Sequence, residues 1–466
     1  MQDVTTPAEA QAREAGRVIA IIGAGFSGTM AAIHLLRTLP PDCSILLCER
    51  SGRFARGLAF ASSGTPHLLN VRAANMSGFP DQPDHFQEWL DQRGDSAGDE
   101  VAQTEAGRFA TRRLYGTYLR SLLYEALQRA PGRLRLQTEA VEGILSVPGG
   151  YQLVGAGGRI TEVAGVVLAV GNLPSRRRSD GVVFHDPWAD DAATRLMAGR
   201  PMLVVGTGLT MVDLVLATRK HGFIGPIVVL SRRGLLPQRH AAPGGTWPRP
   251  DFTAEERVSL LALLRRVRAE VRTAAARGIG WRAVIDALRP VTVELWRGLP
   301  AGERSRFLRH LRPYWDVHRH RTAPDVADAF EAMLADGSVK VQRGRLGSIE
   351  RSGDGAMVWW LPRGGGDAQT LSVQRVIFAT GVPASDEGDP LTASLSKQGL
   401  ARIEPHGLGL AVTEALQIIG ADGEVTPGLW ALGPIVRGVF WECTAVPDIR
   451  VQARMVAEAV AKVCTV

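Results

Sequence analysis

The residues with the clearest chemical purpose in this chain are glycines. Gly23, Gly25 and Gly28 stand in a Gly-x-Gly-x-x-Gly spacing, with Phe26 and Ser27 inside the turn. The run 17–22 before it is apolar and β-rich, and a helical pattern follows as far as Leu39. In that setting the first glycine permits a tight turn. The second lets a pyrophosphate reach the backbone, and the third lets helix pack on strand. The helix then opens with its N–H groups and positive dipole end toward the phosphates. Glu49, followed by Arg50, closes the next strand 21 residues beyond Gly28. A carboxylate there hydrogen-bonds ribose hydroxyls and repels a 2′-phosphate, so this site fits FAD or NAD and not NADP.

A second turn, Gly206-Thr207-Gly208-Leu209-Thr210-Met211, follows the apolar run 202–205. Met211 takes the place of the third glycine, which implies looser packing of helix on strand. The strand after it ends in Ser231-Arg232-Arg233-Gly234, with no acidic residue at the ribose position. A serine and two guanidinium groups suit a 2′-phosphate through charge-assisted hydrogen bonds and stacking on adenine. The second site is therefore expected to take NADPH in preference to NADH.

These two turns need an α/β fold with two Rossmann-like units. The 466 residues are enough for two or three domains. The expected division is a disordered tail over 1–16, an FAD-binding domain over 17–175 plus 380–466, and an NADPH-binding domain over 176–250 plus 336–379. The helical, Arg- and Ala-rich stretch 251–335 exceeds what a nucleotide domain needs and is expected to be an inserted cap over the substrate. The net charge of +7 is scattered, with no nucleic-acid motif, and fits an anionic cofactor better than a nucleic-acid partner. Cys43, Cys48, Cys443 and Cys464 form no Cys-x-x-Cys pair and fit neither a metal site nor a disulfide framework. They are expected to be reduced thiols of a cytoplasmic protein. Residues 1–16 carry no apolar signal region, and no stretch reaches the roughly 18 apolar residues of a membrane span.

Taken together, the chain resembles the flavoproteins with two dinucleotide-binding domains. Ala169-Val170-Gly171 and Ala379-Thr380-Gly381 are similar to the strand ends that mark crossings between the two domains in that group. Leu432-Gly433-Pro434 is similar to its late flavin-contacting motif, with Pro434 where an Asp is usual. More closely, the chain resembles bacterial FAD/NAD(P)-binding proteins of the YdhS type. The residues that carry this are Gly57-Leu58-Ala59-Phe60, His67-Leu68-Leu69-Asn70-Val71, Ala74-Asn75-Met76-Ser77, Trp441-Glu442-Cys443-Thr444-Ala445-Val446-Pro447, and 314–321. The resemblance implies that Asn70, Val71 and Met76 lie along the flavin. It also implies that Gly171 and Gly381 border the cofactors and that Gly433 meets the pyrophosphate–ribityl region.

Three flavin chemistries compete. A dithiol reductase needs a cysteine pair at the flavin, which is missing. A monooxygenase that forms a flavin C4a-peroxide from O2 demands few protein acids or bases, in keeping with the absence of a recognisable triad. The stretch Gly181-Val182-Val183-Phe184-His185-Asp186-Pro187-Trp188 resembles, imperfectly, the linker fingerprint of class B flavin monooxygenases; a turn with a capped histidine is its plain alternative. An NADPH-dependent reductase or dehydrogenase without oxygenation is the second reading, and a non-enzymatic nucleotide sensor the third. A small-molecule substrate is expected, with Trp441, Glu442, Thr444, Arg319 and Arg321 as pocket candidates. The His318–Arg321 cluster could hold a carboxylate or be a solvated basic face.

Overall fold

Five consecutive apolar residues leave β1 (Val18–Ile22) no face for water, and all five are buried. The structure, a computed structural model, describes residues 18–60, 67–172, 179–189, 191–381 and 389–464. The expected tail and the first domain crossing near 175 lie outside them. Helix α1 (Phe26–Thr38) returns the chain to β2 (Ser44–Cys48), which pairs parallel with β1. After the hairpin β3 (Val101–Thr104) and β4 (Gly107–Ala110) comes α2 (Arg112–Arg129). Its N-cap is Thr111, whose hydroxyl accepts the Leu114 N–H. Strand β5 (Leu134–Gln137) then joins β2 in parallel, so the start of the expected 134–170 meander belongs to the main sheet. Only β6 (Val141–Val147), β7 (Gly150–Gly155) and β8 (Ile160–Val163) form the antiparallel layer, and β9 (Gly165–Leu168) re-enters beside β1.

The second sheet begins with the short strand β10 (Val183–Phe184) and with β11 (Met202–Val205). Helix α3 (Leu209–Lys220) connects β11 to its parallel neighbour β12 (Ile227–Ser231). The inserted helices follow, among them α4 (Leu260–Ala276) and α5 (Arg312–Arg319). Next are α6 (Pro324–Ala335) and β13 (Val339–Ser352), whose first residues pair parallel with β12. The rest of β13 turns antiparallel against β14 (Gly355–Pro362), followed by β15 (Gln369–Val373) and β16 (Arg375–Phe378). The chain closes with β17 (Gln417–Ile419), β18 (Val425–Ala431) and α7 (Val446–Cys464). Sheet orders are β17-β18-β9-β1-β2-β5 and β10-β16-β11-β12-β13-β14-β15. Two Rossmann-like sheets are thus built, the C-terminal strands completing the first.

The segment expected as a cap divides in two. Phe330 of α6 is buried in one core with Met202, Val204, Val215 and Val229, so α6 is the crossover helix of the second nucleotide unit and not cap. A βα turn cannot reach a parallel neighbour without such a helix. At its other end the cap starts earlier than 251, because Trp247 is buried with Ala274 and Val284. Phe252, Leu263, Ile285, Leu288, Val291 and Leu299 make the cap a core of its own. In the linker, His185 stacks on Phe378 (4.7 Å, 16°) and Trp188 meets His67 edge-on (5.7 Å), so it ties β16 to the first domain.

Candidate functional site

The two glycine turns share one geometry. Gly23 N–H donates to Cys48 O (2.9 Å), and Gly206 N–H donates to Leu230 O (2.8 Å). Ala169 N–H donates to Ile22 O (2.9 Å), and Ala379 N–H donates to Val205 O (2.8 Å). A Cβ on Gly23 would lie 2.6 Å from Ala169 O, and one on Gly206 would lie 2.4 Å from Ala379 O; both glycines have positive φ, +98° and +116°. The strand ends that carry Gly171 and Gly381 thus abut the first glycine of each turn, and these two residues also take positive φ, +70° and +85°. At the middle position, a Cβ on Gly25 would meet only Gly57 Cα, at 3.5 Å, and one on Gly208 would meet nothing within 4 Å. The space is thus open over the first turn of α3, and over α1 it is bounded by the Gly57 backbone. Both helices are capped by glycine without a side-chain bond and have no acid in the first turn. Their N–H groups are left for a diphosphate, which is the fit a dinucleotide requires.

The third positions differ. A Cβ on Gly28 would stand 1.8 Å from Gly23 O, so α1 rests backbone on backbone. Met211, at the corresponding position of α3, is fully buried in the second core.

The residues at the two expected ribose positions are held by different contacts. Glu49 follows Cys48 as Ser231 follows Leu230. Glu49 Oε2 accepts Ala24 N–H (3.1 Å), while Oε1 accepts the N–H (3.0 Å) and hydroxyl (2.7 Å) of Ser51. The carboxylate is locked across the first turn, and Arg50 beside it is exposed. In the second site the hydroxyls of Thr207 and Ser231 bond at 3.1 Å, and Ser231 Oγ accepts Gly234 N–H (2.9 Å). Arg232 is exposed. Arg233 donates to Arg309 O (3.2 Å) and stands 5.9 Å over the Tyr314 ring. Arg232→Ala is expected to weaken NADPH binding about tenfold, the value of one charge-assisted contact, with NADH unchanged. Titration with both nucleotides checks this, and equal losses would defeat the 2′-phosphate assignment.

Of the residues placed along the flavin by resemblance, Asn70 and Val71 are half-buried at the domain junction, where Asn70 O accepts His240 Nε2–H (3.0 Å). Met76 is buried in the first core, its carbonyl bonded by the Tyr115 hydroxyl (2.9 Å). Gly433 has φ +79°, and a Cβ there would come within 2.7 Å of Ser27 Oγ, so it sits on the opening of α1. Gln452 of α7 accepts its N–H (2.8 Å), and the Cys443 thiol donates to its carbonyl (3.1 Å). Burial pushes the Cys443 thiol pKa up, so this cysteine is held protonated.

The cap docks on the same loop. Glu442, buried and in the left-handed region (φ +75°), accepts Trp315 Nε1–H at 2.6 Å and has Arg319 Nε 3.0 Å from its other oxygen. Arg289 is bidentate on Asp448 (3.1 and 2.6 Å), and Trp296 donates to Gly438 O (2.8 Å). Arg321, 2% exposed, is bidentate on Asp286 inside the cap (3.1 and 2.8 Å). Within the 318–321 cluster, Arg321 is thus held by Asp286, and Arg319 stands at ion-pair distance from Glu442 while its Nη2 keeps no hydrogen-bond partner. Thr444 is exposed beside them.

Sequence reasoning missed the contacts that join the domains. Arg112 of α2 pairs with buried Asp213 of α3 (2.6 Å), and Arg72 donates to Ala241 O (2.9 Å). No local pattern marks a partner more than a hundred residues away. His67 and His240 lie at this junction and His34 inside α1; burial lowers all three from 6.5 to about 4. The unfolded chain therefore takes up protons between about pH 6.5 and 4 that the folded chain does not. Stability is full above 6.5 and declines as pH falls toward 4. Chemical denaturation at pH 7 and pH 5 is expected to give the lower midpoint at pH 5.

Residues 20–173 match a protein-family model described as FAD-NAD(P)-binding. The chain has no significant sequence match among curated proteins. Among solved structures, its fold is similar to that of an ornithine N-hydroxylase from Kutzneria sp. 744, solved with reduced FAD, NADP+ and L-ornithine. The identity is 13%, the TM-score 0.62, and the match covers 95% of this chain and 98% of that one. The L-lysine 6-monooxygenase of Pseudomonas syringae is 16% identical with a TM-score of 0.60, over 95% and 99% of the two chains. The bacillithiol disulfide reductase of Bacillus cereus is 15% identical with a TM-score of 0.51, over 96% and 99%.

Proposed function

We propose that this chain is an FAD-dependent, NADPH-using oxidoreductase that acts as a monooxygenase on a small molecule. The observation that carries the reading is the pair of turns with one backbone geometry and opposite ribose chemistry. Glu49 suits the unphosphorylated ribose of FAD, whereas Ser231, Arg232 and Arg233 suit the 2′-phosphate of NADPH. The first turns of α1 and α3 would bind the two diphosphates, and Gly433 would border the flavin's ribityl chain. Bound flavin supplies electron transfer from NADPH and reaction with O2. The cap, pinned through Glu442 and Asp448, would keep water from the reacting atoms.

The oxygenase form is supported by the two amino-acid hydroxylating enzymes among the similar folds and by the cysteines. Cys443, next to the flavin-side loop, is buried and bonded to Gly433, which leaves it no role as a redox thiol. We further place the chain among proteins of the YdhS type, in the cytoplasm; the motif residues and the buried thiols of Cys48 and Cys443 support this. Among the described residues no helix is long and apolar enough to cross a membrane.

The test is anaerobic reduction of the purified holoprotein with NADPH, followed by rapid mixing with O2. A resolvable third spectral species between reduced and oxidised flavin is expected. Direct reoxidation without one would instead establish the reductase reading. Failure of NADPH to reduce the flavin would overturn both.

A further inference from the structure

The loop between Gly433 and α7 holds buried hydrogen-bond donors that have no acceptor. Arg437, just after the turn of 3₁₀ helix Gly433–Val436, is half-buried, and its Nε has no hydrogen-bond partner. No carboxylate lies within ion-pair distance of it among the described residues. Trp441, 5% exposed four residues on, likewise has an Nε1–H without an acceptor. Arg312 at the start of α5 joins them, its guanidinium 5.8 Å from the Trp441 ring centre. Burial first, and then the charge of Arg312, hold the Arg437 pKa below the usual arginine value.

The acids facing Arg437 are Asp316 and Glu404, and neither is free to neutralise it. Asp316 is already 3.4 Å from Arg312 Nε. Glu404 accepts the N–H groups of His406 (3.0 Å) and Leu408 (2.6 Å) and lies 3.2 Å from His406 Nδ1. Cys443 also faces Arg437 and is held as a thiol. Trp296 and Phe307 of the cap pack on the Trp441 ring at 4.8 and 5.3 Å, so its unpartnered N–H sits among aromatic side chains. Unpaired buried donors are costly in folded proteins, and a guanidinium and an indole N–H without acceptors among aromatic side chains match an oxyanion carried on an apolar body.

We propose that Arg437 and the Trp441 Nε1–H, flanked by the Arg312–Asp316 pair, form an oxyanion subsite that anchors the carboxylate of an organic-acid substrate with an apolar body. The proposal rests on the oxidoreductase reading above for calling the ligand a substrate. The loop that carries Arg437 is fixed to Gly433 and covered by the cap, so a carboxylate held there is indexed to the cofactor turn. A phosphate of NADP(H) is the other source of such an oxyanion.

The experiment is calorimetric titration of the holoprotein with phenylacetate and with its neutral isostere phenylacetamide, without NADPH. The wild type is expected to bind the acid at least about tenfold more tightly than the amide. Arg437→Gln should abolish that preference by weakening the acid alone, and Arg437→Lys should keep part of it. Trp441→Phe retains the ring and removes the donor; it should weaken the acid about threefold, which gives an independent reading if Arg437→Gln fails to fold. Equal affinity for acid and amide, no binding of either, or a preference that survives Arg437→Gln would overturn the proposal. Titration of each variant with NADP+ and NAD+ separates the sources, because a selective loss of NADP+ in Arg437→Gln would assign the oxyanion to the cofactor and overturn the substrate role. Since neither NADPH oxidation nor O2 enters this measurement, its outcome is independent of whether the flavin shows oxygenase chemistry.

Discussion

Gly28→Ala is expected to purify without flavin, whereas Gly206→Ala is expected to keep its flavin and lose reduction by NADPH. In the first case the new Cβ would stand 1.8 Å from Gly23 O, a distance no side-chain adjustment relieves, because both partners are backbone. Either α1 moves away or the turn opens, and in both cases the N–H groups leave the diphosphate. In the second case the Cβ meets Ala379 O at 2.4 Å, and φ of +116° is itself unfavourable to alanine. The first sheet does not depend on that turn, so FAD should remain. A loss of about 100-fold in the rate of flavin reduction at fixed NADPH corresponds to about 2.7 kcal/mol, within reach of one such clash. Flavin content by absorbance and single-turnover reduction by stopped flow separate the two variants. If both lost flavin equally, or neither did, the assignment of one nucleotide to each turn would fail.

Replacing Glu442 should detach the cap. Glu442→Gln keeps an acceptor for Trp315 Nε1–H and removes the charge that faces Arg319, whose side chain is 10% exposed against 3% for Glu442. His320, 3.8 Å away, gains no compensating partner. Leaving one member of a buried ion pair uncompensated costs about 3–5 kcal/mol. Glu442 also sits at φ +75°, a conformation that disfavours a long side chain, so Glu442→Gly should recover about 1 kcal/mol of backbone strain while still losing the pair. Limited proteolysis is expected to cut within the cap of Glu442→Gln sooner than in the wild type while the two nucleotide sheets stay intact. Unfolding scans should show a lower first transition in both variants. An unchanged cap would mean that Arg289–Asp448 and Trp296–Gly438 suffice to hold it, and that the strained carboxylate serves another purpose.

What could be read from sequence is what depends on neighbours a few residues apart. The spacing of Gly23, Gly25 and Gly28, the buried run of β1, and the exchange of Glu49 for Ser231-Arg232-Arg233 all act within one βαβ unit, where steric demand on each residue is local. The limits of the cap were not local in this sense. The sequence of α6 is helical whether it covers a substrate or crosses between β12 and β13, and only the burial of Phe330 against Met202 and Val229 decides the matter.

The chain's own pattern therefore determined two glycine turns with different residues at the end of the following strand, together with the strands and helices that must flank them. The tertiary structure alone decided which charges are spent and which are left. Arg319 and Arg321, adjacent to histidines in a basic run, stand at ion-pair distance from Glu442 and Asp286. Arg437, with nothing in its sequence surroundings to mark it, is left half-buried near Arg312, its Nε without an acceptor. The physical reason is that an ion pair depends on distance and desolvation, and both are set by contacts between segments that folding brings together from across the chain.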